Sequence, residues 1–468
     1  MVHQEIQSKN TIHKVPLIAV LLVGAFVTIL NQTLLVTALP VIKDDFQIDD
    51  TTVQWLQSIF LLVNGIMIPI TAFLIARFTT RGLFLSAMGS FALGTLLCAI
   101  APEFYTLLIG RVLQAAGAGV MMPLMQTVMF LIFPVEKRGT AMGLFGLIIA
   151  FAPAIGPTLS GYIVEHYPWR SLFYIVLPIA VIDIILAYFV LKNVTKQTFP
   201  KLDLLSIILS TLGFGGILFG FSTAGSAGWV SMEVILSMVL GAVTLVWFIL
   251  RQLKIKEPIL EFRIFKDKVF TLTTALGMTV FLAMIGGAVI LPLLMQDMLG
   301  FSPMESGLAL LPGAIIMGLM NPVTGRLFDK FGAKWLSIIG LILVTVTTFM
   351  FAIFTKETTF TYIATVNAFR MLGVAMVMMP VTTAGLNQLS PEMLPHGTAM
   401  NNTFRQVAGA IGTALLVTIM TTTAVPEDGV SGIIHGVNMA FGVAGVTAAI
   451  GLVITFFIKY NNPRRAKG

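Results

Sequence analysis

Charge is what this sequence has least of. Of its 468 residues, 10% are Asp, Glu, Lys or Arg, whereas 57% are hydrophobic. Soluble domains carry about 25% charged residues, so a water-soluble protein of this length is excluded. The single cysteine, Cys98, lies in an apolar run; an intramolecular disulfide is impossible, and the redox compartment is left open. Catalytic signatures are missing too. There is no Walker A loop, no H-E-x-x-H and no G-x-S-x-G, and the five histidines are scattered without metal-ligand spacing. No enzyme activity, bound metal or cofactor is expected, and an ion gradient is a more natural energy source than ATP. Polar connections are short almost everywhere, which leaves no room for a soluble domain.

What the chain has instead is long apolar runs. A membrane-crossing helix needs about 20 mostly apolar residues. Fourteen segments qualify: 15–38, 52–75, 83–101, 104–130, 139–163, 170–191, 203–223, 233–250, 269–294, 305–325, 334–355, 359–386, 397–422 and 437–458. The polar start, 1–14, leads straight into a full span and reads as a retained signal anchor. Fourteen crossings put both tails, 1–14 and 459–468, on one face. That face receives 22 of the 28 basic residues; Lys43, Arg170 and Lys356 fall opposite, and Arg111, Arg370 and Arg405 fall inside spans. The positive-inside rule then places both termini in the cytoplasm. The net charge of +7 thus reports topology, not nucleic-acid binding.

The fifth span begins GTAMGLFGLIIAFAPAIGPTLSG, at 139–161. Gly143, Gly146, Gly156 and Gly161, with Pro153 and Pro157, would break a soluble helix, but neighbouring helices in lipid can re-satisfy the freed backbone groups. Small residues at Gly139 and Gly143, then at Ala152, Gly156 and Ser160, recur every four positions. This spacing predicts one helical face that a partner backbone approaches closely. The chain also repeats itself. GRVLQAAGAGVMMP in the fourth span matches FRMLGVAMVMMP in the twelfth, and RGTAMG opening the fifth matches HGTAMN opening the thirteenth. Arg370 follows Arg111 by 259 residues and Gly397 follows Gly139 by 258. Spans one to six (15–191) and nine to fourteen (269–458) are therefore two copies of one six-helix unit, with an inserted hairpin and linkers at 192–268. Parallel repeats of this kind place a substrate site at their interface and work by rocking one half against the other. The longest polar connection, 251–268, is expected to lie on the surface as a linker near lipid headgroups.

These motifs resemble the major facilitator superfamily, specifically its fourteen-span drug:proton antiporters of the lincomycin-resistance type, along essentially the whole chain. The family's loop motif after the second span, G-x-x-x-D-R-x-G-R-K, is degenerate in the first half, where Ala72, Ala76 and Thr79 replace two glycines and the acid and Arg77 and Arg81 remain. The second half keeps it as Gly325, Asp329, Lys330, Gly332 and Lys334. These residues are expected in gating loops at the cytoplasmic face. The fourth-span motif appears as Arg111, Gln114, Gly117 and Gly119. The antiporter motif of the fifth span appears as Gly143, Ala152, Pro153, Gly156, Pro157, Ser160 and Gly161. The first span departs from the family: LNQTLLVTALP places Asn31 where an Asp is usual. An amide carries no proton, so coupling must use another group; the closer lincomycin-resistance-type relatives share the amide. The resemblance implies a major facilitator fold, export rather than import, and a monomer.

Polar residues inside the spans are the candidate site. Arg111, about seven residues into its helix, is expected to face a polar interior with a partner, since a charge at that depth costs about 2.5–3.5 kcal/mol on insertion scales; the alternative is snorkelling to the outer headgroups. Gln114 shares its face, and by resemblance the pair belongs to a proton-relay or structural network. Asp183 is the only carboxylate well inside a span, a candidate proton carrier or a structural partner. Glu165, beside His166 at the outer mouth of the fifth span, is a candidate for external proton exchange or one half of a solvated pair. Asn401, Asn402, Arg405 and Gln406 share one face of the thirteenth span and are expected to line the cavity or a cytoplasmic gate, the alternative being interhelical hydrogen bonding. Asn31, Gln32, Asn64, Gln126, Asn321 and Asn367 are candidate cavity donors and acceptors, or helix–helix glue. Met121, Met122, Met378 and Met379 could supply an adaptable apolar wall. The expected function is proton-driven efflux of amphipathic drugs, with membrane lipids as surroundings. The alternative is an exporter or flippase of an endogenous lipid or metabolite, and a membrane-embedded enzyme or receptor lacks supporting residues.

Overall fold

A computed structural model describes residues 14–458, so the tails lie outside the described residues except for Lys14, which opens the first helix. Each apolar run folds as a helix, because the hydrocarbon interior offers backbone N–H and C=O groups no other partners. The fourteen are α1 (Lys14–Leu34), α2 (Asp50–Arg77), α3 (Thr80–Ala99), α4 (Phe104–Ile132), α5 (Arg138–His166), α6 (Ser171–Val190), α7 (Leu204–Ala227), α8 (Met232–Lys254), α9 (Lys268–Leu293), α10 (Pro303–Phe331), α11 (Ala333–Met350), α12 (Phe360–Leu386), α13 (Leu394–Thr423) and α14 (Val430–Phe457). All fourteen lie in segments long and apolar enough to cross a membrane. No strand occurs among the described residues. Polar residues at the ends stop fraying. Asp49, Asp203, Ser231, Asp267 and Thr359 each accept a bond from the backbone N–H three residues on, and Ser302 with Glu305 forms a capping box.

Three expectations need correction. First, α10 does not stop at 325 but runs to Phe331, where Gly332, with φ +79, turns the chain directly into α11. Gly325, Asp329 and Lys330 are therefore helical, Lys334 lies in the first turn of α11, and Arg77 and Arg81 lie at the ends of α2 and α3; the α2–α3 and α10–α11 connections are tight turns rather than loops. Second, the connection at 251–268 is packed rather than surface-lying. Ile259, Leu260 and Ile264 are buried, and the Gln252 side chain accepts the Ile259 N–H at 2.7 Å. Third, the small residues of α5 do not share a face. Nine residues at about 100° each bring the helix half a turn round, so Ala152 points away from Gly143. Gly139, Gly143 and Gly146 meet α10, whereas Gly156 meets Thr33 and Ser160 bonds Thr37, both on the chain at the end of α1. Gly161 has open space around it.

Helix pairing repeats with the sequence. α1 packs on α4, α5 and α6, α2 on α4, and α3 on α4 and α6; eight helices later α9 packs on α12, α13 and α14, α10 on α12, and α11 on α12 and α14. The two bundles meet through α5 against α10 and, on the other flank, α2 against α13. α7 and α8 form a hairpin whose α7 lies against both α2 and α13, across that second seam. The segment leading into it is sewn to the first bundle: Thr198 N–H donates to Ala76 O at 3.0 Å and Arg77 donates to Pro200 O at 3.0 Å. At the opposite face the Trp229 indole donates to Thr418 of α13 at 2.7 Å.

The α5–α10 seam is tightest near the face on which α1 begins, the basic face. A methyl group on Gly325 would sit 2.2 Å from the Gly139 carbonyl oxygen. That neighbour is backbone, so the helices themselves would have to separate. Overpacking of this kind costs about 1–3 kcal/mol, and about 1.4 kcal/mol is tenfold in a population. Gly325→Ala is expected to raise the alkylation rate of a cysteine placed at Thr127, which meets Thr398 of α13 across the two bundles, by roughly tenfold in detergent. Gly161→Ala is expected to leave it unchanged.

Candidate functional site

Between the bundles lies a cavity walled by α1, α2, α4, α5, α9, α12 and α13. Its polar lining is Thr28, Gln32, Asn64, Asn402, Arg405 and Gln406. Ile29, Ile68, Met122, Ile149, Phe281 and Met378 supply most of the apolar wall. The volume is about 110 Å³, below the several hundred Å³ that enclose a drug-sized ligand. The bundles or their side chains must move to admit one. Of the expected cavity residues, then, Gln32, Asn64, Asn402, Arg405 and Gln406 reach the wall. Asn31, Gln126, Asn321, Asn367 and Asn401 are buried elsewhere.

Those others have distinct surroundings. Asn31 belongs to a network inside the first bundle. Fully buried Arg111 donates to Leu56 O at 3.1 Å and to Gln114 at 2.9 Å, and its guanidinium lies 4.3 Å over the Phe60 ring. Gln114 in turn donates to Thr95 at 2.9 Å and to Asn31 at 3.4 Å. Hydrogen bonds from a charged donor contribute about 1.5–3 kcal/mol each and offset the burial of the charge. Arg370, its counterpart in the second bundle, does the same with different partners: it donates to Thr348 at 3.2 Å and to Ala283 O, and lies over Phe351. Asn321 is pressed against Gly146 in the α5–α10 seam, and Asn367 stands beside Gly313 within the second bundle.

Below the cavity, toward the basic face, the bundles are bonded together. Asn402 donates to Gln126 at 2.6 Å, and the Thr127 and Thr398 hydroxyls are 2.8 Å apart. At the face itself the Asp329 carboxylate accepts the Gly139 N–H and Thr140 N–H, each at 2.8 Å, and the Thr140 hydroxyl at 2.6 Å. Those N–H groups are unpaired donors of the first turn of α5, so a carboxylate from one bundle caps a helix of the other. Arg138 adds a bond to Asn387 at 3.0 Å. Sequence reasoning missed Thr127, Thr398, Asn387 and Thr382, whose hydroxyl accepts a bond from Arg405. A tally of hydroxyls in the fourth and thirteenth spans would have found the first two; nothing in the sequence marks the others.

Asp183 lies on the inward face of α6 and is 1% exposed. Neither carboxylate oxygen has a hydrogen-bond partner, and the neighbours on α1, α3 and α4 are Gly24, Phe84 and Met121. Glu165 is exposed at the far end of α5, away from the cavity wall, and His166 beside it donates from Nδ1 to Tyr162 O of its own helix at 2.9 Å. The remaining basic residues of the loop motifs stay at the surface. Arg81 stacks 4.1 Å from the Tyr188 ring, Lys330 lies 5.1 Å from Phe331 and Lys334 5.9 Å from Trp335.

Known proteins resemble this chain. A family model described as the Major Facilitator Superfamily matches residues 21–413. The uncharacterized MFS-type transporter YcnB of Bacillus subtilis (strain 168) is 54% identical over 447 residues, 95% of this chain and 94% of that protein. The lincomycin resistance protein LmrB of the same organism is 44% identical over 457 residues, 95% of each chain. Among solved structures, the human organic anion transporter MFSD10 (TETRAN) superimposes with a TM-score of 0.69 over 94% of this chain and 99% of that one. At 12% identity that likeness speaks for the fold alone. With duplicated six-helix bundles, a cavity on their seam and a family match across most of its length, the chain belongs to the Major Facilitator Superfamily.

Proposed function

We propose that the protein exports amphipathic small molecules across a bacterial cytoplasmic membrane by alternating access, driven by protons, with both termini in the cytoplasm and a single chain as the working unit. The observation that carries this reading is the position of the cross-bundle bonds. They cluster between the cavity and the basic face, at Gln126–Asn402, at Thr127–Thr398 and where Asp329 of α10 caps α5. A transporter held shut at one face by breakable polar contacts is poised to exchange that closure for one at the other face. The excess of basic residues supports assigning the closed face to the cytoplasm. Multidrug and lincomycin resistance among the relatives supports drugs as cargo.

For the proton, Asp183 is our assignment. Its carboxyl is buried without partners beside Gly24 of α1, the helix that bears Asn31 where relatives of the wider family carry an acid. A proton crossing 100 mV supplies about 2.3 kcal/mol, comparable with the bonds at the closed face. Asp183→Asn is expected to abolish proton-driven drug uptake into inverted vesicles while leaving drug binding to the purified protein within about twofold. Uptake that still collapses on dissipating the proton gradient in this variant would move the proton elsewhere.

Asp329→Asn keeps the shape of the cap but removes its charge, and charged hydrogen bonds exceed neutral ones by about 1 kcal/mol or more. Its expected effect is at least a fivefold rise in thiol labelling at Thr398→Cys, with efflux slowed at the closing step.

A further inference from the structure

Resting on the reading of the cavity as the transport site, we infer that its cargo carries an anionic group, an oxyanion on an apolar body, and that Arg405 is the residue that binds it. Three observations converge. Arg405 is 5% exposed and lines the cavity; its guanidinium donates to the Thr382 hydroxyl, and its Nε has no hydrogen-bond partner. No acidic residue lines the cavity, so the lining balances this charge only with amides and hydroxyls. The other two cations inside the spans, Arg111 and Arg370, do not reach it; each donates to a backbone carbonyl of a neighbouring helix and lies over a phenylalanine ring.

The internal repeat separates these roles. The structural arginines occur in both copies at the same register, 111 and 370. Arg405 occurs in one. At the spacing of 258 residues that relates Gly139 to Gly397, the positions matching Asn401, Asn402, Arg405 and Gln406 are Gly143, Leu144, Leu147 and Ile148. A cation needed merely to hold the fold would be expected in both halves, as the other pair is. This one is placed on the second bundle alone, facing a cavity whose remaining wall is largely apolar and includes Phe281 and Met378. A guanidinium presents a planar fork of N–H donors suited to carboxylate, sulfonate or phosphate, and in a low-dielectric cavity an unpaired buried charge favours a ligand of opposite sign.

The test uses the full-length chain in nanodiscs with three probes on one aromatic frame: 1-naphthaleneacetate, the neutral 1-naphthaleneacetamide and the cationic 1-naphthylethylamine. The wild type is expected to bind the acid at least tenfold more tightly than the amide and to bind the amine most weakly. Equal binding of acid and amide, or tighter binding of the amine, would overturn the inference without any variant. Arg405→Gln is expected to erase the preference with the amide affinity unchanged within twofold, and Arg405→Lys to retain part of it; a preference that survives Arg405→Gln also overturns the assignment. Competition by phosphatidylglycerol, against phosphatidylcholine, would identify the anion as a lipid headgroup, and its absence as a dissolved acid; both support the charge rule. Counterflow of the acid in proteoliposomes tests transport separately: no counterflow with selective binding intact would end the export reading and leave this one standing.

Discussion

One carboxylate holds the two halves together at the basic face. Asp329, near the end of α10, reaches the first turn of α5 and takes up three donors there. It works because the backbones are already in contact: Gly139 and Gly325 have no side chains to keep the helices apart. Close approach and capping therefore depend on each other. Without the glycines the carboxylate could not reach the helix end, and without the carboxylate the N–H groups of α5 would face a seam with nothing to accept them. The Gln126–Asn402 and Thr127–Thr398 bonds continue the same closure toward the cavity floor.

The repeat offers a second place for such a cap, at the end of α2 facing α13, and the chain does not use it. Ala76 stands where Asp329 stands in the other copy. Its carbonyl accepts Thr198 from the segment leading into the hairpin, and Arg77 beside it bonds Pro200. The inserted helices are thus anchored at the point where the second seam has lost its acid. Two pseudo-equivalent seams have become different parts: one a polar closure between bundles, the other a surface covered by α7. The same divergence separates α5, apolar with small residues, from α13, which carries Asn402, Arg405 and Gln406 to the cavity.

Much of this was legible in the sequence. Fourteen spans, the two-fold duplication and the buried Arg111–Gln114 network follow from apolar run length, from fixed offsets between motifs and from the cost of a charge in hydrocarbon. Helix ends were harder, because α10 continues past its apolar run until Gly332 turns it, and polar residues such as Asp329 look like loop when they are capping a neighbour. Facing was harder still. A spacing of four drifts round a helix by about 40° per step, so the small residues of α5 serve two partners, and of ten polar residues expected at the cavity, five reach it. Which amide of a helix faces the lumen is decided by how neighbouring helices cross, and no single sequence states that.

The hairpin has a mechanical consequence. It is moored to one half beside α2 through residues 198 and 200 and to the other through the Trp229–Thr418 bond, at opposite faces of the membrane. Any widening of the α2–α13 gap would have to stretch or slide this tether, so its length limits how far the two halves can part on that flank. It also covers the α2–α13 flank of the seam from the surrounding leaflet.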